Sequence, residues 1–104
     1  MTFEVLAEPA RRRILDLLRE RPRLVGELSE ALGLSQPGTS KHLRVLRDAG
    51  LVRVRAEAQR RRYELDPAPL AEIDAWLAPY RRMWADRFDA LERHLDTAAD
   101  EETP

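Results

Sequence analysis

The apolar positions of the chain fall into a run of short helical stretches, one alternating stretch and one long heptad-like seam. Thr2 to Ala7 reads as one or two helical turns, in which Phe3 and Leu6 need another element to pack on. Pro9 stands where a helix begins, and in the following ARRRILDLLRE the residues Ile14, Leu17 and Leu18 form an inward stripe at helical spacing. Arg21-Pro22-Arg23 breaks that helix. Leu24 to Leu32 forms the next, with Leu24, Leu28, Ala31 and Leu32 inward; Gly33 ends it and Leu34 plugs the turn. Ser35, a good N-cap with Pro37 in the first turn behind it, opens a helix over 35–49 that Gly50 closes. Its inward stripe is Thr39, Leu43 and Leu46, and its outward face carries Gln36, Ser40, Lys41, Arg44 and Arg47. Two apolar helices joined through Gly-Leu in this way form a helix-turn-helix pattern, the second helix being of the size and chemistry that suit a major groove. An ordinary solvated amphipathic helix has the same local pattern.

After Gly50 the period changes from about 3.6 to 2. Leu51 to Arg55 alternates as a strand, with Val52 and Val54 on one face; Ala56 to Arg60 is the turn, and Arg61 to Leu65 returns. The hairpin over 51–65 is a wing whose Arg60 and Arg62 share one direction and Arg61 the other, positioned for phosphates or an adjacent minor groove. Asp66-Pro67-Ala68-Pro69 stops the chain and restarts it. From 70 to 97, Leu70, Ile73, Leu77, Tyr80, Trp84, Leu91 and Leu95 form a seam widened by Trp76, Met83 and Phe88. So long an apolar face on so small a domain implies a partner helix from a second copy, with Phe3 and Leu6 beside it; the alternative is a helix lying across its own domain. Pro79 predicts a kink or a restart. The acidic residues 98–104 lack an apolar anchor and are expected to fray.

Composition and charge narrow the possibilities further. The 104 residues make one domain, 43% hydrophobic and 36% charged, with no cysteine, so disulfides and thiolate metal sites are excluded. The first apolar cluster is too short and too charged for a signal peptide, and no run approaches the roughly 20 apolar residues of a membrane span, so a cytoplasmic location is expected. The net charge of −1 conceals an asymmetry: 14 basic against 9 acidic residues up to Leu65, then 4 against 10 beyond it. A basic front and an acidic back fit one face meeting phosphates. Arg11, Arg12 and Arg13 crowd a helix start, where positive charge is unfavourable, and read either as solvated surface arginines or as DNA contacts. There is no glycine-rich phosphate loop and no acid–base cluster of an enzyme.

Taken in order, LAEPARRRILDLL (6–18), VGELSEALGLSQPGTSKHLRVLRDAGLVRVR (25–55), RRRYEL (60–65) and DAWLAPYRRMWADRFDALERHL (74–95) resemble the ArsR/SmtB-like winged-helix regulators of bacteria. The resemblance covers nearly the whole chain, and the tail with Trp76, Pro79, Tyr80 and Trp84 is similar to a metal-independent branch. It implies a mainly α fold with a small β-hairpin: five helices and a two-stranded wing, dimerising through the long terminal helix. It implies base reading by Gln36 and Ser40, Gln being able to bridge the major-groove edge of adenine. Lys41 and Arg44 match phosphate contacts. His42 matches the histidine of a Ser-x-His-Leu run that touches phosphate or base, packing at the helix–wing junction being the other possibility. The expected DNA-contacting set is therefore Ser35, Gln36, Thr39, Ser40, Lys41, His42, Arg44, Arg60, Arg61 and Arg62. The expected dimer set is Phe3, Leu6, Leu70, Ile73, Leu77, Tyr80, Trp84, Leu91 and Leu95. Two departures stand out. Pro37-Gly38 replaces small hydroxyl residues, so an irregular first turn is expected, and the wing tip Ala56-Glu57-Ala58-Gln59 lacks glycine, so a looser loop is expected.

Where metal-sensing relatives carry cysteines, this chain has Leu24 and Gly26. Its two histidines, His42 and His94, are far apart, so neither a metal nor another cofactor is expected. The function implied is a sequence-specific DNA-binding transcriptional regulator, a repressor acting as a homodimer on an inverted repeat of double-stranded DNA, with no membrane partner and its effector unassigned. Two rivals remain: a winged-helix module for protein contact, and a regulator with Trp76, Tyr80, Met83 and Trp84 lining an apolar ligand pocket.

Overall fold

The computed structural model describes residues 2–102, with side chains through Thr97. The chain forms two compact units, Met1–Ile73 and Asp74–Pro104. The first is built from α1 (Thr2–Leu6), α2 (Pro9–Glu20), β1 (Arg23–Leu24), α3 (Val25–Leu32), α4 (Gln36–Asp48), β2 (Val52–Glu57) and β3 (Arg60–Leu65). A final helix, α5 (Leu70–Glu102), begins in the first unit and supplies the described part of the second.

The core of the first unit gathers Ile14, Leu15 and Leu18 from α2, Leu28 and Leu32 from α3, and Leu43 and Leu46 from α4, with Val5, Leu51 and Val52 closing it. The inward stripe of α4 is Thr39, Leu43 and Leu46, as the spacing predicts. Elsewhere the stripe shifts. Leu15 is buried and Leu17 only half-buried; Ala31 is exposed, and Ser29 takes the buried place on α3. Gly33 and Gly50 both take left-handed backbone, φ +68° and +77°, which an L side chain resists. They close α3 and α4 with Leu34 N–H donating to Ser29 O (3.1 Å) and Leu51 N–H to Leu46 O (3.0 Å).

The two-stranded wing β2–β3 gains a third, short strand, and the sheet runs in the order β1-β3-β2. Arg23 pairs with Tyr63 and Leu24 with Arg62, so Leu24 begins as a strand residue and α3 starts one residue later than its apolar pattern suggests. The β2–β3 register runs from Val52 opposite Leu65 to Glu57 opposite Arg60. That leaves a tight two-residue turn, Ala58-Gln59, with Ala58 at φ +53°. The looser loop expected from the missing glycine is therefore corrected: the ladder extends to the tip and forces alanine into a conformation that costs about 1–2 kcal/mol.

In the second unit α5 continues without a restart through Pro79, an exposed position, as is Ala75, whose carbonyl the proline cannot satisfy. The helix runs through Glu102, past the end at 97 that the sequence suggests, so the fraying expected from 98 onward is not seen in the backbone up to that residue; 103–104 lie outside the described residues. Among the described residues no helix is long and apolar enough to cross a membrane.

Candidate nucleic-acid interface

The site starts from the way α4 is held. Ser35 Oγ accepts from Gly38 N–H at 3.1 Å, and the Ser35 carbonyl accepts from Thr39 N–H at 2.9 Å. The first turn is thus regular, contrary to the irregularity expected of Pro37-Gly38. A Cβ on Gly38 would lie 3.1 Å from Ser35 Oγ, so glycine leaves room for the cap. Thr39 is fully buried; its hydroxyl donates to Ser35 O (2.9 Å) and accepts from Ser29 Oγ (3.1 Å). Its place in the expected DNA-contacting set is corrected on that ground: Thr39 seats the helix on α3 and has no surface for a base. Gln36, Ser40, Lys41, Arg44 and Arg47 are all exposed on the opposite face.

The wing stands beside this face. Its pairing puts Arg61 with Tyr63 and Leu65, and Arg60 and Arg62 on the other side, as alternation predicts. Arg61, Tyr63, Ser40, Arg44, Arg47 and Asp48 line a cleft of about 340 Å³ between α4 and β3. A second cleft, of about 510 Å³, lies between Arg60, Arg61 and Gln59 of the wing and Val25 and Glu27 of α3.

The wing arginines have different roles. Arg62 Nε pairs with Glu57 at 3.1 Å, Arg55 with Glu64 at 3.2 Å, and Arg53 lies 3.7 Å from Glu64 and 3.9 Å from Asp66. These pairs brace the hairpin, so Arg62, expected as a DNA contact, is engaged within its own wing. The side chains of Arg60, Arg61, Lys41, Arg44 and Arg47 make no hydrogen bond or ion pair among the described residues.

Below the wing, Glu27 Oε1 accepts from Leu24 N–H at 3.1 Å and Oε2 pairs with Arg21 at 2.9 Å. The backbone N–H of Leu24 first, and the Arg21 guanidinium second, hold its carboxyl below the usual carboxylate range. The sequence pattern did not single out this contact: Glu27 stands at the third helical position after Leu24 and makes one half of a capping box, since leucine has no side-chain oxygen to return the bond.

Two arginines of α2 make contacts that were not visible in the pattern. Arg12 Nη1 donates to Leu6 O (2.6 Å) and Ala7 O (3.2 Å). Arg11 reaches Val5 O through Nη1 (3.4 Å) and donates from Nε to His42 Nδ1 (3.3 Å). His42 therefore packs toward α2, not at the helix–wing junction; Arg11 is half-buried in the fold, and Arg12, though exposed, is held on the carbonyls at the end of α1.

Of the expected dimer set, Leu6 and Leu70 are half-buried against the core of their own chain. Phe3 is 40% exposed. On α5, Tyr80, Trp84, Leu91 and Leu95 are all more than two-fifths exposed, as are Met83 and Phe88, whereas Ile73 and Leu77 are half-buried. The rings of Trp76 and Tyr80 are 4.9 Å apart and tilted by 40°. Among the described residues no group of three or more His, Cys, Asp or Glu is placed to hold a metal ion.

A helix-turn-helix whose second helix shows a donor-rich face beside an arginine-bearing hairpin defines a winged helix-turn-helix DNA-binding protein. Comparison with known proteins narrows the class. The family profile described as "Bacterial regulatory protein, arsR family" matches residues 8–54. The HTH-type transcriptional regulator Rv2034 of Mycobacterium tuberculosis is 36% identical over 99 residues, covering 95% of this chain and 90% of that protein. The transcriptional repressor SdpR of Bacillus subtilis is 31% identical over 75 residues, covering 72% and 83%. A homodimeric winged helix-turn-helix DNA-binding domain of a possible ArsR-family regulator from Mycobacterium bovis, solved in solution, superposes with a TM-score of 0.62 at 30% identity, covering 76% of this chain and 73% of that one. This chain belongs to the arsR family of bacterial transcriptional regulators.

Proposed function

We propose that the protein is a cytoplasmic repressor that binds an inverted-repeat operator as a homodimer. The observation that carries the reading is the exposed face of α4, from Gln36 to Arg47, standing beside Arg61 of the wing, its basic side chains unengaged among the described residues. Gln36 and Ser40 read base edges, while Lys41, Arg44 and Arg61 hold phosphates. The exposed seam of Tyr80, Trp84, Leu91 and Leu95 supports pairing of two copies through α5. Two α4 helices related by a two-fold axis then enter major grooves about 34–36 Å apart. The homodimeric M. bovis domain and the B. subtilis repressor support the same reading. No metal or other cofactor takes part in it, and repression follows from occupancy of promoter DNA.

The test is selection of duplexes from a randomised pool, followed by fluorescence anisotropy on the recovered duplex and on single-base variants. Gln36→Ala is expected to flatten the preference at one base pair per half-site, a loss of about 1–3 kcal/mol of discrimination. A wild-type protein that recovers no preferred sequence, or that binds duplexes without salt dependence, overturns the reading and favours a module for protein contact.

A further inference from the structure

Arg11 and His42 are 31 residues apart in sequence, yet their side chains meet. The chemistry of that contact is directional. A guanidinium N–H can only donate, so Nδ1 of His42 is the acceptor and carries no proton. A neutral imidazole with an unprotonated Nδ1 holds its proton on Nε2. Among the described residues no other hydrogen bond engages the His42 ring, and no buried side-chain nitrogen or oxygen lacks a partner. The half-buried His42 therefore has its Nε2 in reach of solvent. Arg11 is itself half-buried and pairs with no carboxylate among the described residues. Its donors go instead to the Val5 carbonyl at the end of α1 and to the histidine ring on α4. A cation placed this way aims another group.

We propose that Arg11 is a positioning residue for the DNA-reading helix: anchored on α1, it fixes His42 as the Nε2–H tautomer, which presents that N–H as a donor to a DNA acceptor. The DNA half of this inference rests on the function proposed above; the tautomer half stands without it. The arrangement also ties the end of α1 to α4 through one side chain.

The chain has only two histidines, His42 and His94, so a long-range ¹H–¹⁵N correlation spectrum of the labelled full-length protein resolves both rings, with His94 as the internal control. The wild type is expected to show a protonated Nε2 and an unprotonated Nδ1 at His42. Arg11→Ala is expected to convert that ring to a tautomer mixture while leaving His94 unchanged. On the duplex recovered by selection, Arg11→Ala and His42→Ala are each expected to weaken binding roughly 3- to 10-fold, the size of one hydrogen bond, and the double variant no further. Arg11→Lys keeps the charge but cannot reproduce the planar donor geometry. It is expected to behave like Arg11→Ala, and it carries both readouts if the alanine variant fails to fold. A proton on Nδ1 in the wild type, losses that multiply in the double variant, or full binding by Arg11→Lys overturns the proposal. A wild type that binds no duplex refutes the DNA reading, while the ring spectrum still decides the contact.

Discussion

Replacing Thr39 by valine separates a residue that seats the recognition helix from one that touches DNA. The substitution keeps the β-branched shape and removes only the hydroxyl. That hydroxyl is fully buried, donates to Ser35 O and accepts from Ser29 Oγ, at 2.9 and 3.1 Å. Ser35 O keeps its bond from Thr39 N–H, so the backbone of the cap survives. Ser29, itself buried, loses the acceptor for its hydroxyl. One lost hydrogen bond plus one stranded donor gives about 1–3 kcal/mol of destabilisation. Ser29→Ala/Thr39→Val removes both partners, so it is expected to cost less than the two single changes together, with a coupling of about 1 kcal/mol. The assay is equilibrium urea unfolding of all four proteins at one fixed concentration, because association of copies makes apparent stability concentration-dependent. Thr39→Val is expected to keep the wild-type ratio of specific to non-specific duplex binding in conditions where both are folded. A Thr39→Val protein as stable as wild type to within about 0.5 kcal/mol, or one that changes base preference without losing stability, refutes the assignment of Thr39 as a seat.

Two further perturbations follow from groups around the site. Glu27 has a carboxyl pKa lowered by the Leu24 N–H and Arg21, so it contributes stability above its ordinary value of 4.5 that is lost as pH falls below this through the lowered value. Glu27→Gln is expected to flatten that acid limb in thermal unfolding measured as a function of pH, and an unchanged limb counts against the Leu24 and Arg21 contacts. At the wing tip, Ala58 sits at φ +53°; Ala58→Gly is expected to raise stability by up to about 1 kcal/mol, read from the urea midpoint, and a loss would show that the turn is not left-handed.

The parts of the fold legible in the sequence are those set by local chemistry at a fixed spacing. Thr39, Leu43 and Leu46 mark one helical face, Ser35 and Gly50 bound it by capping, and the change of period after Gly50 announces the hairpin. What escaped the pattern depends on residues far apart in the chain. Arg23 and Leu24 are too few to show a period and become a strand only because Tyr63 and Arg62 pair with them. Ala58 has no intrinsic preference for positive φ; the register of the strands imposes it. The Arg11–His42 bond crosses two helices and leaves no trace in either helix's spacing. Thr39 was legible both as a buried position and as a polar one, and only the hydroxyl's two partners decide which of these governs.

Contacts inside the fold limit what the basic front of the chain can do. Up to Leu65 there are 14 basic residues. Half of them are engaged inside the fold: Arg11 and Arg12 on carbonyls and a ring, Arg21, Arg23, Arg53, Arg55 and Arg62 on carboxylates. Of the remainder, Arg13 and Arg19 are on α2, while Lys41, Arg44, Arg47, Arg60 and Arg61 are on α4 and the wing. If each of those last five neutralises one phosphate at about 0.9 of a counterion, a dimer gives a slope of log K against log salt of about −9 at most. Anisotropy titrations across a range of salt concentrations measure it. Arg61→Ala is expected to lower the slope by about two per dimer, whereas Arg62→Ala is expected to leave it within error, because Glu57 already holds that guanidinium. A slope well beyond −9, or an Arg62 variant that matches Arg61→Ala, means that the wing arginines exchange their carboxylates for phosphates on DNA, and that the bracing pairs belong to the unbound protein alone.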